Sequence, residues 1–276
     1  MNMIHVQHLT RDYGLGKGIF DVSIQVEQGE VFGFLGPNGA GKTTTIRHLM
    51  GFVRPAAGSC QIGGLDCWAK RDEIQKRLGY IPGEISFFDD MTGRDFLKFM
   101  SDYRRIGKDS RMQELLERFE FDPRGRIKKM SKGMKQKLGI ISAFMHGPEI
   151  LILDEPTSGL DPVMQNRFIE LLSEEKKKGR TILLSSHIFE EVERTCDRIG
   201  IIRNGTLVAC DPAETLRERH MRTYTVHLDS PQEAADFARD FHGIRNETSN
   251  GTDVTVTAKQ SLEAIFLNYY GGGKNA

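Results

Sequence analysis

Short apolar runs alternate with amphipathic stretches from the start of the chain to about residue 210. Uninterrupted apolar runs of four to six residues are typical of buried strands, whereas apolar residues spaced three and four apart are typical of helices. The pattern predicts strands at 31–35, 149–153, 181–185 and 199–202. It predicts helices at 42–50, 93–103, 111–119, 131–145, 162–178 and 188–196. Such alternation favours an α/β fold with a parallel sheet joined by crossover helices.

Two other regions have a different texture. Segments 4–9 and 21–26 alternate polar and apolar residues strictly, which predicts an antiparallel β layer beside the main sheet. Asn204-Gly205 predicts a two-residue hairpin turn. Beyond it the pattern predicts a short helix at 212–219, strands at 223–228 and 253–257, and helices at 231–241 and 261–270. We therefore expect a large domain over 1–218 and a small α+β extension over 219–276.

Composition and charge restrict the class of protein. The 276 residues include 38 Lys and Arg against 38 Asp and Glu, so no overall charge attracts nucleic acid or an anionic membrane. No apolar stretch approaches the roughly 18 residues of a spanning helix, and the first residues lack the pattern of a secretory signal. The four cysteines are widely spaced, which favours reduced core residues over disulfides or a zinc site. We expect a cytoplasmic protein.

The most specific motif runs from Gly36 to Thr43. Its sequence Gly36-Pro37-Asn38-Gly39-Ala40-Gly41-Lys42-Thr43 fits G-x-x-x-x-G-K-[ST] and lies between a predicted strand and a predicted helix. Glycines let successive backbone N–H groups point inward, at the positive end of the following helix. Lys42 is then expected to reach the β- and γ-phosphates of a nucleotide, and Thr43 to bind Mg²⁺.

A second motif, Ile150-Leu151-Ile152-Leu153-Asp154-Glu155, ends an apolar strand with two carboxylates. Because side chains alternate along a strand, the two acids are expected to face different ways and to do different work. Asp154 is predicted to hold Mg²⁺, directly or through water. Glu155 is predicted to accept the proton of the water that attacks the γ-phosphate.

These two motifs are followed by Thr157-Ser158-Gly159-Leu160-Asp161 and, after the next strand, by Ser185-Ser186-His187. Together, the four motifs resemble the nucleotide-binding subunit of an ATP-binding cassette (ABC) transporter over residues 1–210. The resemblance implies a P-loop NTPase cassette with a parallel core sheet, an antiparallel β layer and a helical signature subdomain near 85–147. It also implies ATP and Mg²⁺ as ligands.

The same resemblance implies roles for residues outside the two motifs. Tyr13 matches the aromatic residue that stacks on adenine, and His187 matches the switch histidine that contacts the γ-phosphate. Thr44 and Asp161 match further nucleotide-binding positions. A half-buried structural tyrosine remains the alternative for Tyr13.

The family signature, Leu-Ser-Gly-Gly-Gln, appears in altered form as Met130-Ser131-Lys132-Gly133-Met134. Ser131 and Gly133 are retained at the start of a predicted helix, where a hydroxyl and a backbone N–H meet the helix dipole. By resemblance they complete the nucleotide site of a second subunit. The basic residues around them, Arg124, Arg126, Lys128, Lys129, Lys132, Lys135 and Lys137, are interpreted mainly as a solvated face.

A second departure follows the segment Gly79-Tyr80-Ile81-Pro82. The family usually has a glutamine here that touches Mg²⁺ and relays the nucleotide state to the membrane subunit. This chain has Gly83, which has no side chain for that task, and then Glu84. We hypothesise that Glu84 substitutes as a metal ligand, because its carboxylate supplies the hard oxygen that Mg²⁺ prefers.

The signature run and the closing segment 262–270 are similar to the ABC-2-type exporter branch. We predict an ATPase subunit that drives a separate membrane permease, for export, from the cytoplasmic face of the membrane. It is expected to pair with a second copy or with a homologous cassette, and no nucleic-acid partner is expected. The alternatives are a soluble ABC-type ATPase that acts on nucleic acid or ribosomes and a non-catalytic regulatory cassette; the presence of Glu155 and His187 speaks against the latter.

Overall fold

The computed structural model describes residues 2–107, 110–219, 222–240 and 245–258. The chain divides into two compact units, Met1–Ala213 and Glu214–Ala276. The strands of the first unit are β1 (Asn2–Asp12), β2 (Gly18–Glu27), β3 (Val31–Leu35), β4 (Ala57–Ile62), β5 (Leu65–Asp66), β6 (Leu78–Ile81), β7 (Ile150–Asp154), β8 (Thr181–Ser186), β9 (Arg198–Arg203) and β10 (Thr206–Pro212). Its helices are α1 (Lys42–Leu49), α2 (Arg71–Arg77), α3 (Gly93–Arg104), α4 (Ser110–Arg118), α5 (Lys132–Phe144), α6 (Pro162–Lys177) and α7 (Phe189–Thr195).

The main sheet has six strands in the order β10-β9-β3-β8-β7-β6. The pairs from β9 to β6 are all parallel, and β10 is antiparallel to β9. Every residue of β7 and β8 is buried, because other elements cover both faces of this sheet. The predicted parallel sheet is confirmed, and so is the hairpin: Asn204 and Gly205 both have positive φ, as the turn requires.

A second sheet in the order β2-β1-β4-β5 is antiparallel throughout, which confirms the predicted β layer. Its apolar side chains form one buried cluster with side chains of the main sheet and of α1, including Ile4, Val6, Phe32, Phe34 and Leu49. Strands β4 and β5 were not predicted. Strand β5 has two residues, and the first half of β4 is made of small residues, so their sequence carries little alternation.

The helical part of this unit contains α3, α4, α5 and one 3-10 turn at Ile127–Lys129. Thr92 caps α3 in a capping box, in which its hydroxyl accepts from the backbone N–H of Asp95 and the Asp95 carboxylate accepts from the backbone N–H of Thr92. At the far end of α5, His146 Nε2 lies 3.0 Å from the carbonyl oxygen of Leu78 in β6. The carboxyl end of α5 is therefore attached to the main sheet.

The second unit contains a three-stranded antiparallel sheet in the order β11-β13-β12, with β11 at Arg222–His227, β12 at Arg245–Asn250 and β13 at Asp253–Ala258. Helix α8 (Ala213–Arg219) starts at the boundary, and α9 (Pro231–Asp240) packs on the sheet. Val226, Ala234, Phe237, Val254 and Val256 form its core. The predicted helix 261–270 lies outside the described residues. That this unit is a separate domain remains a prediction.

The cysteines are reduced, as the sequence predicts. All four are free thiols, and burial raises the pKa of the Cys60 thiol to about 12, so it stays protonated at neutral pH. Within the ranges that the structure describes, we find no helix with the length and apolar character to cross a membrane.

Candidate active site

The loop between β3 and α1 is shaped by glycines. Gly41 precedes α1 with φ +111°, and a Cβ on it would lie 2.6 Å from Ile19 Cγ2. A Cβ on Gly36 would lie 2.4 Å from the carbonyl oxygen of Ile202. Only glycine fits at these two positions, so the loop curls tightly into the amino end of α1, where free N–H groups favour an anion.

Lys42 is buried, with 5% of its surface exposed. Its Nζ donates to the carbonyl oxygens of Gly36, at 2.6 Å, and Pro37, at 3.3 Å. It also lies 3.1 Å from Glu155 Oε1 in an ion pair. An ammonium has three N–H donors, and the two carbonyl oxygens engage two of them. One donor therefore remains for a phosphate oxygen, beside the Glu155 carboxylate that pairs with Lys42 by charge.

Asp154 ends β7 as a fully buried carboxylate with two hydroxyl partners. Thr43 Oγ1 donates to its Oδ2 at 2.8 Å, and Ser185 Oγ donates to its Oδ1. Asp154 of the second motif thus contacts Thr43, the last residue of the first motif, across 111 positions of sequence. A carboxylate beside a hydroxyl is a suitable pair of hard oxygens for Mg²⁺, which binds through few protein ligands and the phosphates of its substrate.

Glu155 follows with a left-handed backbone, φ 49°, which is rare outside glycine and characteristic of functional sites. Its backbone N–H donates to the carbonyl oxygen of Ser185 at 3.2 Å and to Ser185 Oγ at 3.1 Å. His187 Nδ1 lies 2.7 Å from Glu155 Oε2. Because an ionised carboxylate only accepts, Nδ1 is the donor. Glu155 therefore bridges Lys42 and His187 with its two oxygens.

One cavity of about 610 Å³ lies beside these groups and is lined by Lys42, Thr43, Glu155 and His187 among them. Its lining contains the predicted residues Pro37, Asn38, Gly39, Ala40, Gly41, Lys42, Thr43, Thr44, Glu84, Glu155 and His187. It also contains Arg47, Tyr80, Pro82, Gly83, Lys132 and Ser158. The larger cavity of about 710 Å³ lies between α3 and α4, away from these groups. The chemistry identifies the smaller cavity as the candidate active site.

Gly83 and Glu84 both line this cavity. A Cβ on Gly83 would lie 3.0 Å from Asp154 Oδ2, so this position faces the carboxylate but carries no ligand. Glu84 is exposed. Nearby, burial and then the charge of Asp154 raise the pKa of Tyr80 to about 12, which keeps the phenol neutral. The metal-ligand role of Glu84 remains a prediction.

Six predicted residues lie outside the cavity lining. Gly36 and Asp154 lie directly behind it, where they accept from Lys42 and Thr43 of the lining, and the other four lie elsewhere. Tyr13 is 53% exposed, with the Arg11 guanidinium 5.3 Å from its ring centre. Ser131 caps α5 by accepting from the backbone N–H of Met134, Gly133 lies in the first turn, and Asp161 caps α6 by accepting from that of Met164. The Met164 hydrogen bond is the main cause that lowers the pKa of Asp161. The structure therefore does not bring these four to the other predicted residues within one chain.

Sequence reasoning missed the residues that support the site. Ser185 contacts both Asp154 and Glu155. Glu191 accepts from Thr157 Oγ1 at 2.7 Å and from Ser186 Oγ at 2.6 Å. The sequence held one signal for the serines, because two hydroxyl residues end an otherwise apolar strand just before His187. The sequence held no signal for Glu191, because its contacts with Thr157 and Ser186 depend on how the chain folds.

Comparisons with known proteins agree with this geometry. The family model described as ABC transporter matches residues 19–158. The bacitracin transport ATP-binding protein BcrA of Bacillus licheniformis is 35% identical over 98% of both chains. The linearmycin resistance ATP-binding protein LnrL of Bacillus subtilis is 36% identical over 75% of this chain and 68% of its own. A solved ATP-binding subunit of an ABC transporter superposes with a TM-score of 0.72 at 32% identity, covering 79% of this chain and 92% of that one.

Proposed function

The chain belongs to the ABC transporter family as an ATP-hydrolysing nucleotide-binding subunit that drives a separate permease, and on that premise we propose that it powers export. The resemblance and the α/β cassette fold inferred from the sequence are confirmed. The contact chain His187–Glu155–Lys42, beside Asp154–Thr43, carries the proposal for the chemistry. The alternative of a soluble ATPase on nucleic acid or ribosomes is not favoured by these relatives.

Lys42 and Glu155 work as a coupled pair in this proposal. A γ-phosphate oxygen takes a donor of Lys42, which weakens the ion pair at 3.1 Å and leaves Glu155 Oε1 able to accept a proton from the attacking water. His187 donates to the other oxygen and fixes the carboxylate. The backbone N–H groups of the 36–41 loop and the amino end of α1 stabilise charge on the phosphates.

Mg²⁺ is proposed to bind Thr43 Oγ1 and Asp154, with Glu84 as a further ligand. The hydroxyl and the carboxylate already lie 2.8 Å apart, and Ser185 orients the carboxylate. When bound, the ion neutralises charge on the β- and γ-phosphates. Exchange of Glu84 for Ala is expected to raise the Mg²⁺ concentration needed for half-maximal ATPase activity, and an unchanged value would contradict a ligand role for Glu84.

Ser131 and Gly133 are proposed to contact ATP held by a second cassette, either a copy of this chain or a homologue. Two features support this reading: both residues begin α5, where N–H groups favour phosphate, and neither lines the cavity of its own chain. Tyr13 is proposed to stack on adenine, and Asp161 to lie near the second subunit. In such a two-fold arrangement each ATP touches both chains and favours the closed pair.

The permease is proposed to dock on an exposed aromatic cluster, which would place the chain on the cytoplasmic face of the membrane. Phe88, Phe99 and Tyr103 are 57%, 44% and 75% exposed. The ring centres are 6.1 Å apart for Phe88 and Phe99 and 6.4 Å apart for Phe99 and Tyr103. Neighbouring exposed rings of this kind mark an interaction surface more often than scattered ones do.

The test uses a tagged Glu155→Gln chain, purified with ATP from membranes of its host in mild detergent. Loss of the general base should lower the ATPase rate at least a hundredfold while ATP stays bound. We expect a multi-spanning protein to copurify, and Glu155→Gln combined with Lys42→Ala, which removes the phosphate contact, should recover much less of it. Recovery of ribosomes or nucleic acid without a membrane protein would contradict the transporter function.

A further inference from the structure

Lys132 is the first residue of α5 and stands where the family signature has glycine. A cation at the amino end of a helix is unfavourable because of the helix dipole. Its Nζ donates to Ser158 Oγ at 2.8 Å, and in the described part of the chain no carboxylate oxygen lies within 4.0 Å of it. The contact that Lys132 makes is therefore to the loop that follows Glu155, not to a counter-ion.

The first turns of α5 contact this loop at further points. The backbone of Gly159 has φ +82°, and a Cβ on it would lie 3.0 Å from Lys132 Cγ. A Cβ on Gly133 would lie 2.7 Å from the carbonyl oxygen of Gly159. The buried Gln136 donates from Nε2 to the carbonyl oxygen of Pro156 at 2.6 Å. Loop residues 156–159 are thus packed against one face of α5.

The same loop is bonded to the proposed catalytic base. The backbone N–H of Ser158 donates to the carbonyl oxygen of Glu155 at 3.1 Å, which closes a turn over 155–158. A continuous path therefore runs from the Lys132 ammonium through the side chain and backbone of Ser158 to Glu155. A shift of the first turn of α5 moves one end of this path, whereas Ser185 holds the other end at the Glu155 N–H.

We propose that Lys132 is a positioning residue that holds the turn 155–158 through Ser158, and so sets the rate of hydrolysis and not the affinity for ATP. The proposal rests on the proposed role of Glu155 as the base. It gives the lysine at this signature position a task within its own chain, in addition to the contacts that the signature makes across the two subunits.

The experiment measures steady-state ATPase activity of the full chain with Lys132→Met, Ser158→Ala and both changes together. Methionine keeps the aliphatic contact with Gly159 and removes the ammonium, both its donor and its charge, whereas Ser158→Ala breaks the same hydrogen bond without a change of charge. Each single change should lower kcat about tenfold, with KM within about twofold, because a charged hydrogen bond contributes roughly this much. The double variant should also lose about tenfold, since both changes break the same contact.

Four controls make the result specific. Lys132→Arg keeps a donor of similar reach and should recover most of the rate, whereas Lys129→Met, an exposed lysine of the same basic segment, should keep the parental rate. In the Glu155→Gln background, Lys132→Met should leave the Kd for ATP within twofold. Equal melting temperatures of Lys132→Met and the parent establish that folding is unchanged.

The outcomes separate this inference from the proposed function. A kcat of Lys132→Met equal to that of the parent, or a hundredfold loss in the double variant, overturns the positioning role. A Kd for ATP that rises with the loss of kcat also overturns it, because Lys132 would then bind the nucleotide. Hydrolysis by Glu155→Gln at the parental rate would instead contradict the proposed role of Glu155, whatever Lys132→Met does.

Discussion

The carboxyl edge of the main sheet and the first turn of α5 are both expected to bind phosphate, yet they are built differently. At the sheet edge Lys42, Asp154 and Ser185 are buried, and each has two or more partners. At the first turn of α5, Ser131 and Lys132 are exposed, and one side-chain contact is described for each. The sheet edge is preorganised by burial, whereas the helix start is free to meet a second chain and depends on single contacts.

The largest effect expected from this comparison follows the exchange of Asp154 for Asn. Both oxygens of Asp154 accept hydrogen bonds, from Thr43 and from Ser185, and asparagine puts an NH₂ donor in place of one of them. The change also removes the negative charge that would attract Mg²⁺. We expect kcat to fall at least a hundredfold, measured over a range of Mg²⁺ concentrations. Asp122→Asn, at an exposed position, is the control, and an Asp154→Asn rate near that of the control would contradict the metal role.

The next largest difference concerns stability, because the sheet is more tightly packed than the first turn of α5. Ile152 in β7 is fully buried, so Ile152→Ala should lower the free energy of unfolding by about 2–5 kcal/mol. Met134 in the first turn of α5 is 37% exposed, and Met134→Ala should cost less than about 1 kcal/mol. Urea unfolding measures both. Equal losses would show that the helix start is as tightly packed as the sheet.

Ser185→Ala tests whether the Ser185 hydroxyl is needed to position Asp154 and Glu155. The change removes the hydroxyl that donates to Asp154 and accepts from the Glu155 N–H, without a large change in volume. We expect kcat to fall about tenfold, as for one buried hydrogen bond to a charged group. Thr10→Ser, on β1 away from the site, serves as the control. A Ser185→Ala rate equal to that of this control would mean that the strand backbone alone positions both acids.

The smallest effect concerns the carboxyl end of α5, where His146 contacts β6. Burial, and then the charge of Arg104, lower the pKa of His146 to about 4 from an ordinary 6.5. Between these values the unfolded chain binds a proton that the folded chain does not, so stability falls as pH drops from about 6.5 to 4. His146→Gln should make the fall in the free energy of unfolding between these pH values smaller by roughly 1–2 kcal/mol, with partial solvent screening taken into account. Urea unfolding at pH 7 and pH 4.5 measures the difference, and parallel losses in both chains would contradict the assignment.

The sequence by itself determined the sheet, the β layer and most of the residues that line the candidate active site. Buried parallel strands are recorded as apolar runs, and the loop 36–43 and the pair Asp154-Glu155 are contiguous, so pattern and spacing are enough to find them. Strands β4, β5 and β12 were not predicted, because short or polar strands show little hydrophobic periodicity in the sequence.

Only the tertiary structure decided how these pieces act on one another. It placed Ser185 under both acids, set Lys42 against Glu155, and brought Lys132 to Ser158 instead of to a carboxylate. None of these contacts joins residues that are close in sequence. They follow from the order of the parallel strands and from the packing of α5, which fix distances that residue types and spacing leave open.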